Sequence, residues 1–282
     1  MKVRRGYRSK NVEDRRRMSG GTAVAAGGGG IIAVVVALFV ALSGGGGGIN
    51  VDDLLGGLNQ APPAPQQQDP NAPDPDEDLR VISEFTFDQV QTMWDGLFTS
   101  AGSSYPAATM VLFTGSTQSG CGGATSAVGP HYCPLDQRVY IDLEFFRELE
   151  ARFGATGDFA EAYVIAHEVA HHVQNSTGIM DEVRRLQQED PGKANDWSVS
   201  LELQADCFAG VWARTAFQQE ILDAGDLDEA IDAAEAVGDD RIQERATGTI
   251  NQESWTHGSS ADRSKWLRTG YDTGDPNACD TF

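Results

Sequence analysis

Two histidines and a glutamate with the spacing of a metal site stand in the middle of the chain. They form the string His167-Glu168-Val169-Ala170-His171. On a helix, residues four positions apart share a face, so both imidazoles can reach one metal ion while the glutamate lies beside the open coordination position. A string with only three fixed positions also occurs by chance, so further ligands must support the interpretation.

Two carboxylates downstream supply that support. Catalytic zinc usually takes three protein ligands and keeps a fourth position for water. Glu202 and Asp206 lie four residues apart in a helical pattern, although an isolated glutamate would be an ordinary solvated side chain. We predict that Glu202 completes a Zn²⁺ site with His167 and His171. Asp206 is predicted to hold one bound histidine by its other ring nitrogen.

This set of residues suits the hydrolysis of a peptide bond. Zinc lowers the pKa of water towards neutrality and polarises a carbonyl group. Glu168 can then take the proton of the attacking water and return it to the leaving amine. The pattern predicts a zinc-dependent peptidase whose substrates are peptides or proteins.

The elements that must position these residues belong to a mixed α and β domain, so the predicted fold class is α+β. Apolar periodicity near 3.6 residues indicates helices and short apolar runs indicate strands. Helices are predicted at 84–98, 144–153, 158–175, 198–220 and 227–246, strands at 108–113 and 139–143, and a Gly-, Ser- and Cys-rich loop at 120–134.

The first eighty residues have a different composition. Residues 1–22 are basic, 23–43 are apolar and uncharged, and 44–79 are rich in Gly and Pro. About twenty apolar residues can cross a bilayer as a helix, and flanking basic residues favour the cytoplasmic side. We predict a cytoplasmic tail at 1–22, a membrane anchor at 23–43, an extended linker and an extracytoplasmic domain at 80–282. A cleaved signal peptide is the alternative, and it also exports the domain.

Charge and cysteine content limit the possible partners. The formal net charge is −21, which disfavours binding to nucleic acid. Cys121, Cys133, Cys207 and Cys279 all belong to the exported part, where an even count indicates two disulfides with three possible connectivities. A cysteine zinc cluster is disfavoured because eleven residues separate even the nearest two cysteines.

Several longer strings resemble the neutral zinc metallopeptidases of the YpfJ type. They are Cys121-Gly122, Gly129-Pro130-His131-Tyr132-Cys133-Pro134, Val139-Tyr140-Ile141-Asp142, His167-Glu168-x-x-His171-x-Val173-Gln174, Glu202-x-Gln204-Ala205-Asp206-Cys207-Phe208-Ala209-Gly210, His257-Gly258 and Cys279-Asp280-Thr281-Phe282. The resemblance implies a zincin-like fold and zinc-dependent peptidase activity. His131 departs from the pattern, where an aromatic residue is expected, and could be mistaken for a ligand. We predict the disulfides Cys121–Cys133, closing a short loop, and Cys207–Cys279, tying the tail to the helix that bears Glu202.

A further histidine is predicted to stabilise the transition state. His257 lies in a Gly- and Ser-rich turn at 256–260, where its side chain can project into a cleft. His172 is expected to point away from the metal. A histidine followed six residues later by an arginine also resembles the HtpX-type membrane proteases, and this resemblance makes Arg263 a possible helper of His257.

Two other functions are compatible with the same residues. A non-catalytic exported domain that keeps zinc for stability and binds cell-envelope partners requires a closed, four-ligand site and tolerates changes at Glu168. A metal-dependent amidase acting on cell-wall peptides shares the chemistry and differs only in its cleft. The sequence makes no prediction of oligomeric state.

Overall fold

The computed structural model describes residues 1–16, 73–126, 128–154 and 156–282, and they form a mixed α+β fold as the sequence predicts. The α-helices are α1 (Glu77–Ser100), α2 (Leu143–Glu148), α3 (Asp158–Ser176), α4 (Ile179–Glu189), α5 (Ala194–Gln218), α6 (Asp226–Ala236), α7 (Asp239–Thr247) and α8 (Ser260–Thr273). The strands are β1 (Val12–Asp14), β2 (Thr109–Phe113), β3 (Ser116–Ser119), β4 (Gly122–Thr125), β5 (His131–Cys133) and β6 (Arg138–Asp142).

Four strands form one sheet in the order β1-β2-β6-β5. β1, β2 and β6 run parallel, whereas β5 is an antiparallel edge strand. β2 and β6 are buried along almost their whole length, as expected of parallel strands covered on both faces. β3 and β4 form a separate hairpin. The prediction of an irregular loop at 120–134 is therefore wrong where β4 and β5 form. Strands of three or four residues are too short to show an alternation of apolar and polar residues.

Helix α3 is the central element of the helical layer. Every residue from Phe159 to Gln174 except the half-buried Glu161 is buried, because α1, α5, α6 and the sheet surround the helix. The Phe159 ring stacks on Trp212 of α5 with the ring centroids 5.4 Å apart. α3 matches the helix predicted at 158–175, and its burial fixes the two histidines of the central motif in position.

Helices α5 and α8 are in very close contact through two glycines. A methyl group on Gly210 would overlap the carbonyl oxygen of Leu267, and one on Gly270 would overlap that of Cys207. α8 was not predicted, since the helices expected from the sequence end at residue 246. Its buried face contains mostly small and polar residues, among them Arg263 and Ser264, so it lacks the apolar periodicity by which a helix is recognised.

Residues 1–16 form an arm that packs on the domain, and they belong to the same compact unit as residues 73–282. β1 pairs with β2, with Val12 opposite Met110. Carboxylates of α1 receive hydrogen bonds from the arm, including one from the Ser9 backbone N–H to Glu84 at 2.8 Å. The basic residues of the arm, which indicated a cytoplasmic tail, partly neutralise these carboxylates; Arg8, for example, pairs with the buried Glu84.

The predicted anchor at 23–43 lies outside the described residues. Of the helices that the structure does describe, none combines the length and the apolar character needed to cross a membrane. Residues 73–79, which were assigned to the linker, belong to the folded unit, and α1 begins at Glu77.

Both predicted disulfides are confirmed. Cys121 and Cys133 join the β3–β4 turn to β5, with their Cα atoms 5.8 Å apart. Cys207 and Cys279 join α5 to the C-terminal segment, with their Cα atoms 5.6 Å apart. Crosslinks of this kind stabilise a fold by about 2–4 kcal/mol, chiefly by restricting the unfolded chain.

Other helix boundaries differ from the predictions at identifiable places. The helix predicted at 227–246 is divided into α6 and α7, because Gly238 has an extended backbone conformation. The helix predicted at 144–153 ends as a π-helical turn, Leu149–Phe153. Helix α4 was not predicted, and only Val183 of its residues is buried.

Candidate active site

The structure brings the three predicted metal ligands together. His167 and His171 project from α3 towards Glu202 of α5. Nε2 of His167 lies 3.1 Å from one carboxylate oxygen of Glu202, and Nε2 of His171 lies 3.3 Å from the other. One ligand atom from each of the three residues lies within 4.8 Å of the other two.

The donor set fits a zinc ion. Two imidazole nitrogens and a carboxylate are common ligands of catalytic zinc. Ligand atoms bound tetrahedrally at roughly 2.0–2.1 Å from the ion lie about 3.3 Å from one another. The separations of 3.1 and 3.3 Å between the two Nε2 atoms and the Glu202 carboxylate agree with that value.

The electrostatics of the three residues are those of a site that binds a cation. Burial alone would lower the pKa of His167, but the carboxylates of Asp206 and Glu202 raise this pKa to about 10. Burial would raise the pKa of Glu202, but His171 and His167 hold this pKa well below its usual range. The carboxylates therefore favour positive charge at the imidazoles, and a bound metal ion would supply that charge in place of the protons.

Asp206 orients the first histidine, in agreement with the prediction. Its Oδ1 atom accepts a hydrogen bond from Nδ1 of His167 at 2.8 Å. The same carboxylate accepts two hydrogen bonds from Arg263, at 2.9 and 3.0 Å, and one from the Tyr163 hydroxyl at 2.5 Å. Asp206 is fully buried, and burial alone would raise its pKa. The charges and hydrogen bonds of Arg263 and His167 outweigh burial, so the pKa of Asp206 is lowered and the group is ionised.

Arg263 and Tyr163 thus have roles that the sequence did not indicate. Arg263 was expected beside His257, but its guanidinium pairs with Asp206 and donates to Tyr163 at 3.1 Å. Tyr163 was assigned only to the buried face of its helix. Its position four residues before His167 places it on the same face, and this spacing was the available signal.

Gln174 orients the second histidine, and sequence reasoning missed it. Its side-chain oxygen accepts from Nδ1 of His171 at 2.8 Å. Its amide nitrogen donates to the carbonyl oxygen of Leu201 at 2.7 Å and to the side chain of Gln204 at 3.1 Å. Gln204 in turn donates to the carbonyl oxygen of Cys279 at 3.0 Å. This series of hydrogen bonds connects His171, a candidate metal ligand, to the disulfide-linked C-terminal segment.

Glu168 occupies the position expected of a general base. It follows the first histidine and lines the same cleft as the three candidate ligands. Its side chain is buried in the wall of that cleft.

His257 also lines the cleft, from the turn in which it was predicted to lie. Asp239, the first residue of α7, accepts hydrogen bonds from the backbone N–H groups of Thr256, His257 and Gly258 at 2.8, 2.7 and 3.0 Å. It also accepts from Nδ1 of the His257 ring at 3.2 Å. The hydrogen bond to Asp239 raises the pKa of His257 despite partial burial. Asp239 was not predicted, because its contact spans eighteen residues and follows no local pattern.

The two remaining histidines do not belong to the candidate metal centre. His172 is fully buried and bonds to the Tyr132 hydroxyl at 3.0 Å and to the carbonyl oxygen of Pro106. It points away from the metal ligands, as predicted, although not to the surface. His131 lies in β5, where its ring stacks on Tyr140 with the centroids 5.2 Å apart.

The cleft has a volume of about 510 Å³ and is lined by residues of β5 and its preceding loop, of α3, α5 and α7, and of the turn that bears His257. The candidate ligands, Glu168 and His257 all face it. A cleft of this size accommodates several residues of an extended peptide or a comparable small molecule.

Comparisons with known proteins give a consistent family assignment. A family described as "Putative neutral zinc metallopeptidase" matches residues 1–282. The chain is 45% identical over 230 residues to "Uncharacterized protein YpfJ" of Escherichia coli strain K12, covering 81% of this chain and 80% of that protein. It is 48% identical over 214 residues to "Uncharacterized protein Rv2575" of Mycobacterium tuberculosis strain H37Rv, covering 72% and 70%. No solved structure matches the chain significantly.

Proposed function

Because the chain belongs to the neutral zinc metallopeptidase family, we propose that it hydrolyses peptide bonds, with Zn²⁺ held by His167, His171 and Glu202 in a zincin-like domain. The observation that carries the proposal is the convergence of these three side chains beside Glu168 at the base of an open cleft. The three come from two helices that are far apart in sequence, so chance spacing does not explain their meeting.

Each residue of the cleft then has a chemical task. When bound, zinc supplies a Lewis acid that polarises the scissile carbonyl and makes water more acidic. Glu168 accepts the proton of the attacking water and delivers it to the leaving amine. His257, held by Asp239, donates a hydrogen bond to the oxygen on which negative charge develops. A positioned donor of this kind contributes about 2.7–4 kcal/mol to transition-state stabilisation.

The residues behind the ligands keep the site in its working geometry. Asp206 and Gln174 each accept the Nδ1–H of one histidine, which leaves both Nε2 atoms free to bind metal. Fixing the tautomer and ring orientation in this way is a general feature of zinc sites.

A non-catalytic zinc-stabilised domain that binds cell-envelope partners is the second candidate. It requires a closed site with four ligands, whereas the cluster found among the described residues has three and opens into the cleft. The geometry therefore favours catalysis. An amidase acting on cell-wall peptides uses the same residues and is distinguished by its substrates.

We also propose that the domain acts outside the cytoplasm. Its two disulfides, with no free cysteine, suit an oxidising compartment. Attachment to a membrane through residues 23–43 stays a prediction, and a single crossing there conflicts with the pairing of β1 and β2. The acidic net charge of −21 argues against nucleic acid as a partner.

The experiment that tests the proposal compares purified, zinc-loaded wild type with Glu168→Gln in a digest of a mixed peptide library. Glu182→Gln is the matched control, because Glu182 is an exposed residue of α4. We expect cleavage by wild type and by the control, and none by Glu168→Gln at unchanged zinc content, because an amide cannot accept the proton. Substantial cleavage by Glu168→Gln would contradict the assigned mechanism.

A further inference from the structure

Two aliphatic side chains of the cleft are exposed. Val128, in the loop before β5, is 47% exposed, and Ile242, in α7, is 39% exposed. Both line the cleft that contains the candidate ligands. Exposed aliphatic side chains that line one cleft mark a surface that is covered when a ligand binds.

The apolar surface continues to the reacting groups. Val164 lies one turn before Glu168 on α3, and residues four positions apart share a helix face. Leu201 precedes Glu202 on α5, and Val237 follows the last residue of α6. All three line the cleft. Aliphatic side chains therefore lie next to the proposed general base and next to a candidate ligand in the lining of the cleft.

Three polar side chains of the cleft already have hydrogen-bond partners. Arg263 is bound bidentately to Asp206, and the Tyr163 hydroxyl donates to the same carboxylate. The Tyr132 hydroxyl contacts His172 and Asn175. A charged side chain entering this part of the cleft would lose its hydration without gaining an ionic partner among these residues, which is unfavourable.

We infer that the substrates are peptides with a bulky aliphatic or aromatic side chain adjacent to the scissile bond, and that this side chain packs against Val128, Val164 and Ile242. The inference rests on the proposed peptidase function and adds the substrate class to it. Burial of such a side chain favours its peptide over the alanine analogue by about tenfold to a hundredfold in kcat/KM.

The test measures kcat/KM of the zinc-loaded protein on paired peptides that differ only in Leu or Ala at the position flanking the cleaved bond. The variants are Ile242→Ser and Val128→Ser, both at exposed positions where folding is preserved. Ile250→Ser is the matched control, because Ile250 is 52% exposed and does not line the cleft. Zinc content is measured for each variant.

We expect wild type and Ile250→Ser to prefer the Leu peptide at least tenfold, and Ile242→Ser or Val128→Ser to reduce that preference at least threefold with full zinc content. Equal preference in all four proteins, or library cleavage without enrichment of apolar residues, overturns the inference and leaves the peptidase function standing. A zinc-loaded wild type that cleaves no peptide overturns the peptidase function itself, and the inference with it.

Discussion

Oδ1 of Asp206 lies 2.8 Å from Nδ1 of His167, and both oxygens of this carboxylate also accept hydrogen bonds from the guanidinium of Arg263. One buried acid therefore joins the metal site on α3 to helix α8, which the sequence did not reveal. The contact predicts that metal affinity and stability depend on the same carboxylate.

Asp206→Asn is expected to weaken zinc binding by about 10- to 100-fold, because the hydrogen-bond acceptor of His167 loses its negative charge and His167 becomes a weaker ligand. The free energy of unfolding should also fall by about 3–5 kcal/mol, because Arg263 is left buried without its partner. Competition with a zinc chelator and denaturant titration measure the two effects. Asp272→Asn, at an exposed position of α8, is the control.

The double variant Asp206→Asn with Arg263→Gln separates the two effects of the first prediction. It should recover part of the lost stability while zinc affinity stays low. If Asp206→Asn bound zinc as tightly as wild type, the carboxylate would have no role in orienting the metal ligand.

Gln174→Leu is predicted to lower zinc affinity by about tenfold or more, since Nδ1 of His171 loses its acceptor. The change also removes the contacts to Leu201 and Gln204, so the C-terminal segment should become more susceptible to proteolysis. Asn175, one residue further along α3, donates a hydrogen bond to Tyr132 and not to a candidate ligand, so Asn175→Leu serves as the comparison. Equal zinc affinity in both variants would remove Gln174 from the metal site.

His257→Ala is predicted to lower kcat at least tenfold at full zinc occupancy and with near-normal KM, because only the transition state loses a donor. Loss of zinc from this variant would instead identify His257 as a ligand. An unchanged kcat would show that the side chain does not take part in the reaction.

The pH dependence of kcat tests the contact between Asp239 and His257. The hydrogen bond from His257 to Asp239 raises the pKa of the imidazole, so the protonated donor persists to higher pH and is lost as pH rises through that raised pKa. Asp239→Asn removes the charge that stabilises the protonated ring. The alkaline limb of the kcat profile should therefore move to lower pH. An unmoved alkaline limb would contradict this pairing.

The position of the arm makes a prediction about membrane topology. All four cysteines are in disulfides, so Lys10→Cys and Asp272→Cys each introduce a single exposed thiol. In spheroplasts, a membrane-impermeant thiol reagent should label both variants equally, because residues 1–16 pack on the domain. Labelling of Asp272→Cys alone would establish the single crossing predicted from the sequence. Labelling of neither before lysis would place the domain in the cytoplasm.

Much of the candidate site could be predicted because its residues follow local rules. His167 and His171 are one helical turn apart, as are Glu202 and Asp206, so sequence spacing alone places each pair on one face. The central strands and α3 carry long apolar patterns and were predicted close to their observed bounds. The two disulfides were predicted correctly as well.

The residues that were missed act through contacts between distant segments. Arg263 meets Asp206 across 57 residues, and the N-terminal arm meets α1 across about 75. Neither contact has a periodic signal. The packing of α5 on α8 depends on two glycines, Gly210 and Gly270, that a hydrophobicity pattern does not register.

Anomalous X-ray diffraction at the zinc absorption edge, recorded from crystals of the zinc-loaded protein, locates the bound ion directly. We expect one strong peak about 2.0–2.2 Å from Nε2 of His167, Nε2 of His171 and a carboxylate oxygen of Glu202. The remaining coordination position should open towards Glu168. A peak at another place, such as the acidic group Asp158, Asp226 and Glu229, or a fourth protein ligand closing the site, would rule out the proposed catalytic zinc centre.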